Sequence, residues 1–144
     1  MLPPDAQSAL SNRLAEIKQA QKANNLSELA LASAEGYRIV VSATHRTNVP
    51  TAVSLLDYAG FRYRADLKSK PTRWADMQSA VQFAQEQWNS ISGQISDTSM
   101  RNNFAAALDR MSKAVASTSV EAAGSAGTTE LDLVDKLESY FNHK

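Results

Sequence analysis

The clearest helical pattern in the chain lies in residues 97–117, which read DTSMRNNFAAALDRMSKAVAS. Apolar residues recur there every three or four positions, namely Met100, Phe104, Ala107, Leu108, Met111 and Val115. This spacing places them on one face of an α-helix, whereas Arg101, Asp109 and Lys113 fall on the opposite face. The stretch therefore predicts an amphipathic helix that buries one side against other helices.

The same spacing extends outward from this stretch over most of the chain. It predicts further helices over about residues 5–24, 26–45, 50–68, 73–95 and 129–142. Composition agrees, because the chain holds 23 alanines but only 12 valines and isoleucines together, and alanine favours helices. Asn25, with Glu28 three residues later, is typical of a capping box at the start of the second helix.

Helices joined by short turns favour an all-α, up-and-down bundle. We expect a four-helix core within five to six helices in total, with the C-terminal helix packed on the outside. Residues 119–128 are rich in Ala, Gly and Ser and predict a flexible linker. The expected organisation is a helical bundle over 1–118, this linker, and a C-terminal helix over 129–144 that packs on the same domain.

Charge and cysteine content exclude several classes of protein. Without cysteine there is no disulfide scaffold, thiolate metal site or cysteine nucleophile. Fifteen basic and fifteen acidic residues balance, so we expect no nucleic-acid partner, and no apolar run is long enough for membrane insertion. An Ala- and Ser-rich, cysteine-free chain is common among exported bacterial proteins. We therefore expect a soluble periplasmic or secreted protein, and the sequence predicts no signal peptide in this chain.

No pattern of catalytic or cofactor-binding residues occurs in the sequence. Nucleophile-elbow, phosphate-loop and dinucleotide motifs are missing, and neither His45 nor His143 belongs to a metal-ligand motif. The sequence therefore predicts no catalytic residue, no cofactor and no dedicated metal site. Glu130, Asp132 and Asp135 cluster at the expected start of the last helix, where acidic residues complement the helix dipole.

Two groups of residues are candidates for a binding surface. Four residues form an outward group on the third and fourth helices: Tyr58, Phe61, Arg62 and Phe83. Exposed contiguous apolar surface usually marks an interface, but the last helix could also cover this group, and we expect that cover. Asp57 and Arg64 lie close on the helical wheel and suggest a polar site or a salt bridge at the edge of the core.

The sequence thus favours a non-enzymatic binding or interaction module that uses a helix face or an interhelical groove. Its partner would be another protein or a second copy of the chain. The alternative is a periplasmic bundle that binds a metal cation or a small ligand through Asp57, His45 or the Glu130–Asp135 cluster.

Overall fold

The computed structural model describes residues 2–44 and 48–144. It consists of six α-helices and one short 3₁₀ turn at Ser92–Gln94. The helices are α1 (Pro4–Lys22), α2 (Leu26–Ala43), α3 (Thr51–Lys68), α4 (Trp74–Ile91), α5 (Thr98–Ala116) and α6 (Val120–Asn142). The predicted all-α bundle is confirmed. In the described ranges, no helix combines the length and apolarity needed to cross a membrane.

Local side-chain caps explain where several helices begin. The Asn25 side chain accepts a hydrogen bond from the backbone N–H of Glu28 at 3.2 Å, as the capping box predicts. Asp97 caps α5 in the same way, accepting from the N–H of Met100 at 3.0 Å. Each cap satisfies a backbone donor that the first helical turn leaves without a partner.

The main core lies between α3, α4, α5 and α6. Trp88 of α4 stacks on Phe104 of α5 with ring centroids 4.5 Å apart. The fully buried Tyr63 of α3 crosses the core and donates its hydroxyl to the backbone carbonyl of Met111 at 3.2 Å. Helix α6 adds apolar side chains to the same cluster, among them Val134, Leu137 and Phe141.

The position of the last helix differs from the prediction. Helix α6 packs against both α3 and α5 and is one of the four core helices. The α1–α2 hairpin lies outside this core instead, with α2 packed on α3. The physical reason is that α6 is a long amphipathic helix of 23 residues, long enough to span the bundle.

The predicted flexible linker over residues 119–128 is wrong. Ser119 caps α6 by accepting from the N–H of Ala122 at 3.3 Å, and the helix runs on from Val120 without a break. Gly127 faces the ring of Tyr63, where an added Cβ would lie 3.1 Å from Cδ1. That glycine therefore permits a close approach between α3 and α6, and small side chains here serve packing.

Candidate functional site

Helix α2 covers one member of the outward group predicted from the sequence and leaves another exposed. Tyr58 is 3% exposed and packs edge-on against Phe83, with ring centroids 5.5 Å apart. The Tyr58 hydroxyl donates to Glu35 of α2 at 2.5 Å, so α2, and not the last helix, covers this side of α3. Phe61 stays 43% exposed and contacts Tyr37 edge to face at 5.8 Å.

The proposed Asp57–Arg64 pair does not form a common site. The two residues are seven positions apart on α3, which is about 10.5 Å along a helix. Asp57 accepts a hydrogen bond from the Tyr37 hydroxyl at 3.3 Å. Arg64 lies instead on the wall of a separate depression between α2 and α3.

The acidic residues Glu130, Asp132 and Asp135 of α6 do not share one surface either. Glu130 is fully buried in the seam between α3 and α6 next to Gly60, whereas Asp132 and Asp135 are exposed. Burial, together with the nearby charge of Asp57, raises the pKa of Glu130 well above its usual range. Glu130 also lies in the middle of α6, so the cluster neither starts that helix nor converges on a cation site.

The two histidines contribute no site to the described structure. His45 lies outside the described residues. His143 forms the C-cap of α6, where its Nδ1 lies 2.6 Å from the carbonyl oxygen of Ser139. The described residues contain no group of three or more histidines and carboxylates close enough to hold a metal ion.

A different place gathers charged side chains: a depression of about 440 Å³, which we name the charged cleft. It lies between the α1–α2 hairpin and the α3–α4 pair. Its charged lining residues are Arg13, Glu16, Glu28, Glu35, Arg62, Asp66, Arg73 and Asp76. Small apolar side chains, including Ala20 and Ala32, complete the wall.

Ion pairs between separate helices order the walls of the charged cleft. Arg73, which precedes α4, pairs with Glu28 of α2. Arg62 of α3 donates to the Tyr58 hydroxyl at 3.0 Å and to Glu35 at 3.5 Å. Although burial opposes it, hydrogen bonds from Tyr58 and Arg38 lower the pKa of Glu35. Glu35 is therefore ionised at neutral pH and fixes one side of the Arg62 guanidinium.

Asp66 is the least satisfied group in the charged cleft. It is 1% exposed, and neither carboxylate oxygen accepts a hydrogen bond from any residue in the described ranges. The nearest cation is the Nε of Arg62, 3.7 Å from Oδ2, which is too long for a hydrogen bond. Burial raises the pKa of Asp66 to about 6, although Arg62 opposes the shift.

Sequence reasoning missed this site. In the sequence, Arg62 and Arg73 belong to a basic stretch whose charge Asp66 and Asp76 partly offset. The one local signal was the Arg62–Asp66 spacing of four residues, which places both on one side of a helix. Glu28 and Glu35 reach the cleft only through the packing of α2 on α3.

The α2–α3 groove is the second depression of interest, with a volume of about 410 Å³. Small and aromatic side chains form most of its wall, and two basic residues complete it. Its lining residues are Ala30, Ser33, Ala34, Tyr37, Phe61, Arg64 and Lys68.

The chain matches no known protein family, no curated protein and no solved structure.

Proposed function

We propose that this protein is a non-enzymatic binding module that holds a small charged ligand in the charged cleft. The observation that carries the proposal is Asp66, a buried carboxylate without a hydrogen-bond donor in the wall of a cleft of about 440 Å³. Buried polar groups in proteins are nearly always paired, and an unpaired one is a candidate for binding. The volume lies in the range of sites for small molecules.

The order of the cleft walls also supports binding. Arg62 and Arg73 are each held by a carboxylate of α2, which ties α2 to α3 and to the start of α4. A site whose charged groups are already positioned loses little conformational entropy when a ligand enters. The α1–α2 hairpin, which lies outside the main core, would then serve to complete this cleft.

The state of two titratable groups, Tyr58 and Glu35, supports the proposal of a non-enzymatic role. Burial and the hydrogen bond to Glu35 raise the pKa of Tyr58, so its hydroxyl stays a donor at neutral pH. Glu35 accepts from that hydroxyl and from two arginines. These groups are engaged with each other, as expected for binding and not for proton transfer. We also propose, from composition alone, that the protein is exported.

Calorimetric titration of the full chain tests the proposal. Small aliphatic amines, carboxylates, phosphate esters and neutral polyols of similar size are titrated separately. We expect saturable binding of at least one charged class at one site per chain. Gln19→Trp should abolish that binding, because Gln19 is an exposed residue that lines the cleft.

Gln21→Trp is the matched control, since Gln21 is exposed on the same helix outside the cleft lining. Mass spectrometry of the ligand after incubation should recover it unchanged. The proposal is wrong if no charged class binds, or if Gln19→Trp and Gln21→Trp bind equally well. Conversion of the bound ligand would refute the non-enzymatic part.

The exposed ring of Phe61 favours a second candidate, a protein-interaction module that uses the α2–α3 groove. Phe61 and Tyr37 form an aromatic pair at this groove, and large exposed apolar side chains are typical of interfaces. Self-association is the simplest form, and sedimentation velocity over a wide concentration range tests it. We expect Phe61→Ser to lower the mass of any oligomer. A wild-type chain that stays monomeric throughout would refute self-association.

A further inference from the structure

The charged cleft carries more acidic than basic groups. Five carboxylates and three guanidinium groups line it, which leaves a net charge of −2 when all are ionised. The carboxylates are Glu16, Glu28, Glu35, Asp66 and Asp76, and the bases are Arg13, Arg62 and Arg73. The potential inside the cleft therefore favours a positively charged ligand.

The three arginines are already engaged by carboxylates. Arg13 pairs with Glu16 at 2.6 Å, Arg73 pairs with Glu28, and Arg62 contacts Glu35. An anionic ligand would have to displace one of these protein carboxylates to reach a guanidinium. The cleft is thus better prepared for a cation than for an anion.

Two carboxylates are engaged less closely: Asp66 has one long ion pair, with Arg62, but no hydrogen bond, and Asp76 has no ion pair among the described residues. Asp66 stands 3.7 Å from the Nε of Arg62, whose NH1 is held by Tyr58 and Glu35. Asp76, in the first turn of α4, forms no ion pair within the ranges that the structure describes. Both residues line the same cleft, and the charge of Asp76 contributes to the raised pKa of Asp66.

We infer that the charged cleft binds an organic cation, a primary ammonium or a guanidinium group, with Asp66 and Asp76 as its carboxylate partners. This inference rests on the proposed function and names the chemical class of the ligand. The N–H donors of such a group would supply the hydrogen bonds that the Asp66 carboxylate lacks. Ca²⁺ takes six to eight oxygen ligands, which is more than these two carboxylates supply.

Binding of small ions to the full chain tests this inference. n-Butylamine and 1,4-diaminobutane are titrated calorimetrically against the chain at neutral pH, with butyrate, succinate and calcium chloride in parallel. We expect both amines to bind and the diamine to bind more tightly, because it carries two charges into a cleft of net charge −2. Butyrate, succinate and calcium should not bind.

Conservative substitutions test whether Asp66 and Asp76 are the carboxylates that contact the bound amine. Asp66→Asn and Asp76→Asn should each weaken amine binding about tenfold or more, since each removes a hydrogen-bonded charge from the ligand. Asp135→Asn is the matched control, because it removes the same charge from an exposed position on α6. Circular dichroism checks that the variants fold, and Asp76→Asn changes a less buried residue if Asp66→Asn does not fold.

Proton release gives a readout that a purely structural role of Asp66 would not produce. Near pH 6 part of the Asp66 population is protonated, and a bound cation would expel that proton. The groups that face Asp66 are Arg62 on its own helix, Glu35 from α2, and Arg73 and Asp76 at the start of α4. The observed binding enthalpy should therefore depend on the ionisation enthalpy of the buffer, and this dependence should disappear in Asp66→Asn.

The outcomes separate this inference from the proposed function. Binding of butyrate or succinate without binding of the amines would overturn the cation assignment and leave a charged-ligand module standing. Amine binding that is equal in wild type, Asp66→Asn and Asp76→Asn would overturn the assigned partners. Binding of calcium alone would replace an organic cation by a metal. If no charged probe bound, both proposals would fail.

Discussion

Replacement of Glu130 by methionine should stabilise this protein. Glu130 is fully buried between α3 and α6, and neither of its carboxyl oxygens has a hydrogen-bond partner in the described ranges. An unsatisfied buried polar group costs about 1–3 kcal/mol. Methionine has a similar length, a similar helix propensity and no polar group to desolvate, so Glu130→Met should raise the free energy of unfolding by about 1–3 kcal/mol.

The stabilisation of Glu130→Met relative to wild type should increase as the pH rises. Since burial raises the pKa of Glu130, the folded state keeps its proton at pH values where the unfolded state has lost it. The wild type therefore has its full stability below the unfolded pKa and loses stability as pH rises toward the folded pKa. Within that window each pH unit costs at most about 1.4 kcal/mol, and Glu130→Met removes this dependence.

Urea unfolding at several pH values between 5 and 8 measures both effects. Glu86→Met is the matched control, because Glu86 is exposed on α4 and forms no described ion pair, so its substitution should change stability by less than about 0.5 kcal/mol. A Glu130→Met variant that is less stable than wild type would refute the reasoning. If the difference in free energy of unfolding between Glu130→Met and wild type stayed constant from pH 5 to 8, Glu130 would not hold its proton in the folded state.

Three further predictions concern packing and capping. Gly60→Ala should lower the free energy of unfolding by about 1–3 kcal/mol, because its Cβ would overlap Glu130 and lie 2.6 Å from Cδ2 of Leu131. Gly93→Ala is the control, since its Cβ meets nothing within 4 Å. That change should be neutral or slightly stabilising in the same urea titration. Asp97→Ala should lower the free energy of unfolding by about 1 kcal/mol by removing the α5 cap, whereas Asp97→Asn should keep most of it. Phe104→Ala should cost about 3–5 kcal/mol, because the ring is fully buried and stacked on Trp88; a loss below 1 kcal/mol in thermal unfolding would contradict that stacking.

The helices themselves could be predicted because their signals are local. The apolar spacing of residues 97–117 and the cap at Asn25 each involve residues within a few turns. The prediction failed at 119–128, where glycine-rich composition suggested flexibility. Gly127 is instead the point where α3 approaches α6, and only the position of Tyr63 across the seam shows this.

The cover over the outward aromatic group shows the same limit. The helical wheel predicted that Tyr58 and Phe83 belong to an outward group on their helices. The element that covers Tyr58 is α2, whose Glu35 accepts a hydrogen bond from the Tyr58 hydroxyl although the two residues are 23 positions apart. No local pattern encodes that pairing, so the last helix and α2 were equally compatible with the wheel.

The candidate site is the least predictable feature for the same reason. Its ion pairs join Glu35 with Arg62, 27 positions apart, and Glu28 with Arg73, 45 positions apart. In the sequence, Arg62, Asp66, Arg73 and Asp76 read as a mixed and solvated helix end.

The sequence by itself determined that this protein is all-helical, and it located most helix ends, because periodicity and capping act over four residues or fewer. The tertiary structure alone decided that α6 belongs to the core, that α2 covers Tyr58, and that Asp66 is buried without a donor. The physical reason is that burial and charge pairing depend on which helices pack together. That choice is settled by the combined fit of faces distant in sequence, such as Gly60 against Glu130 and Gly127 against Tyr63.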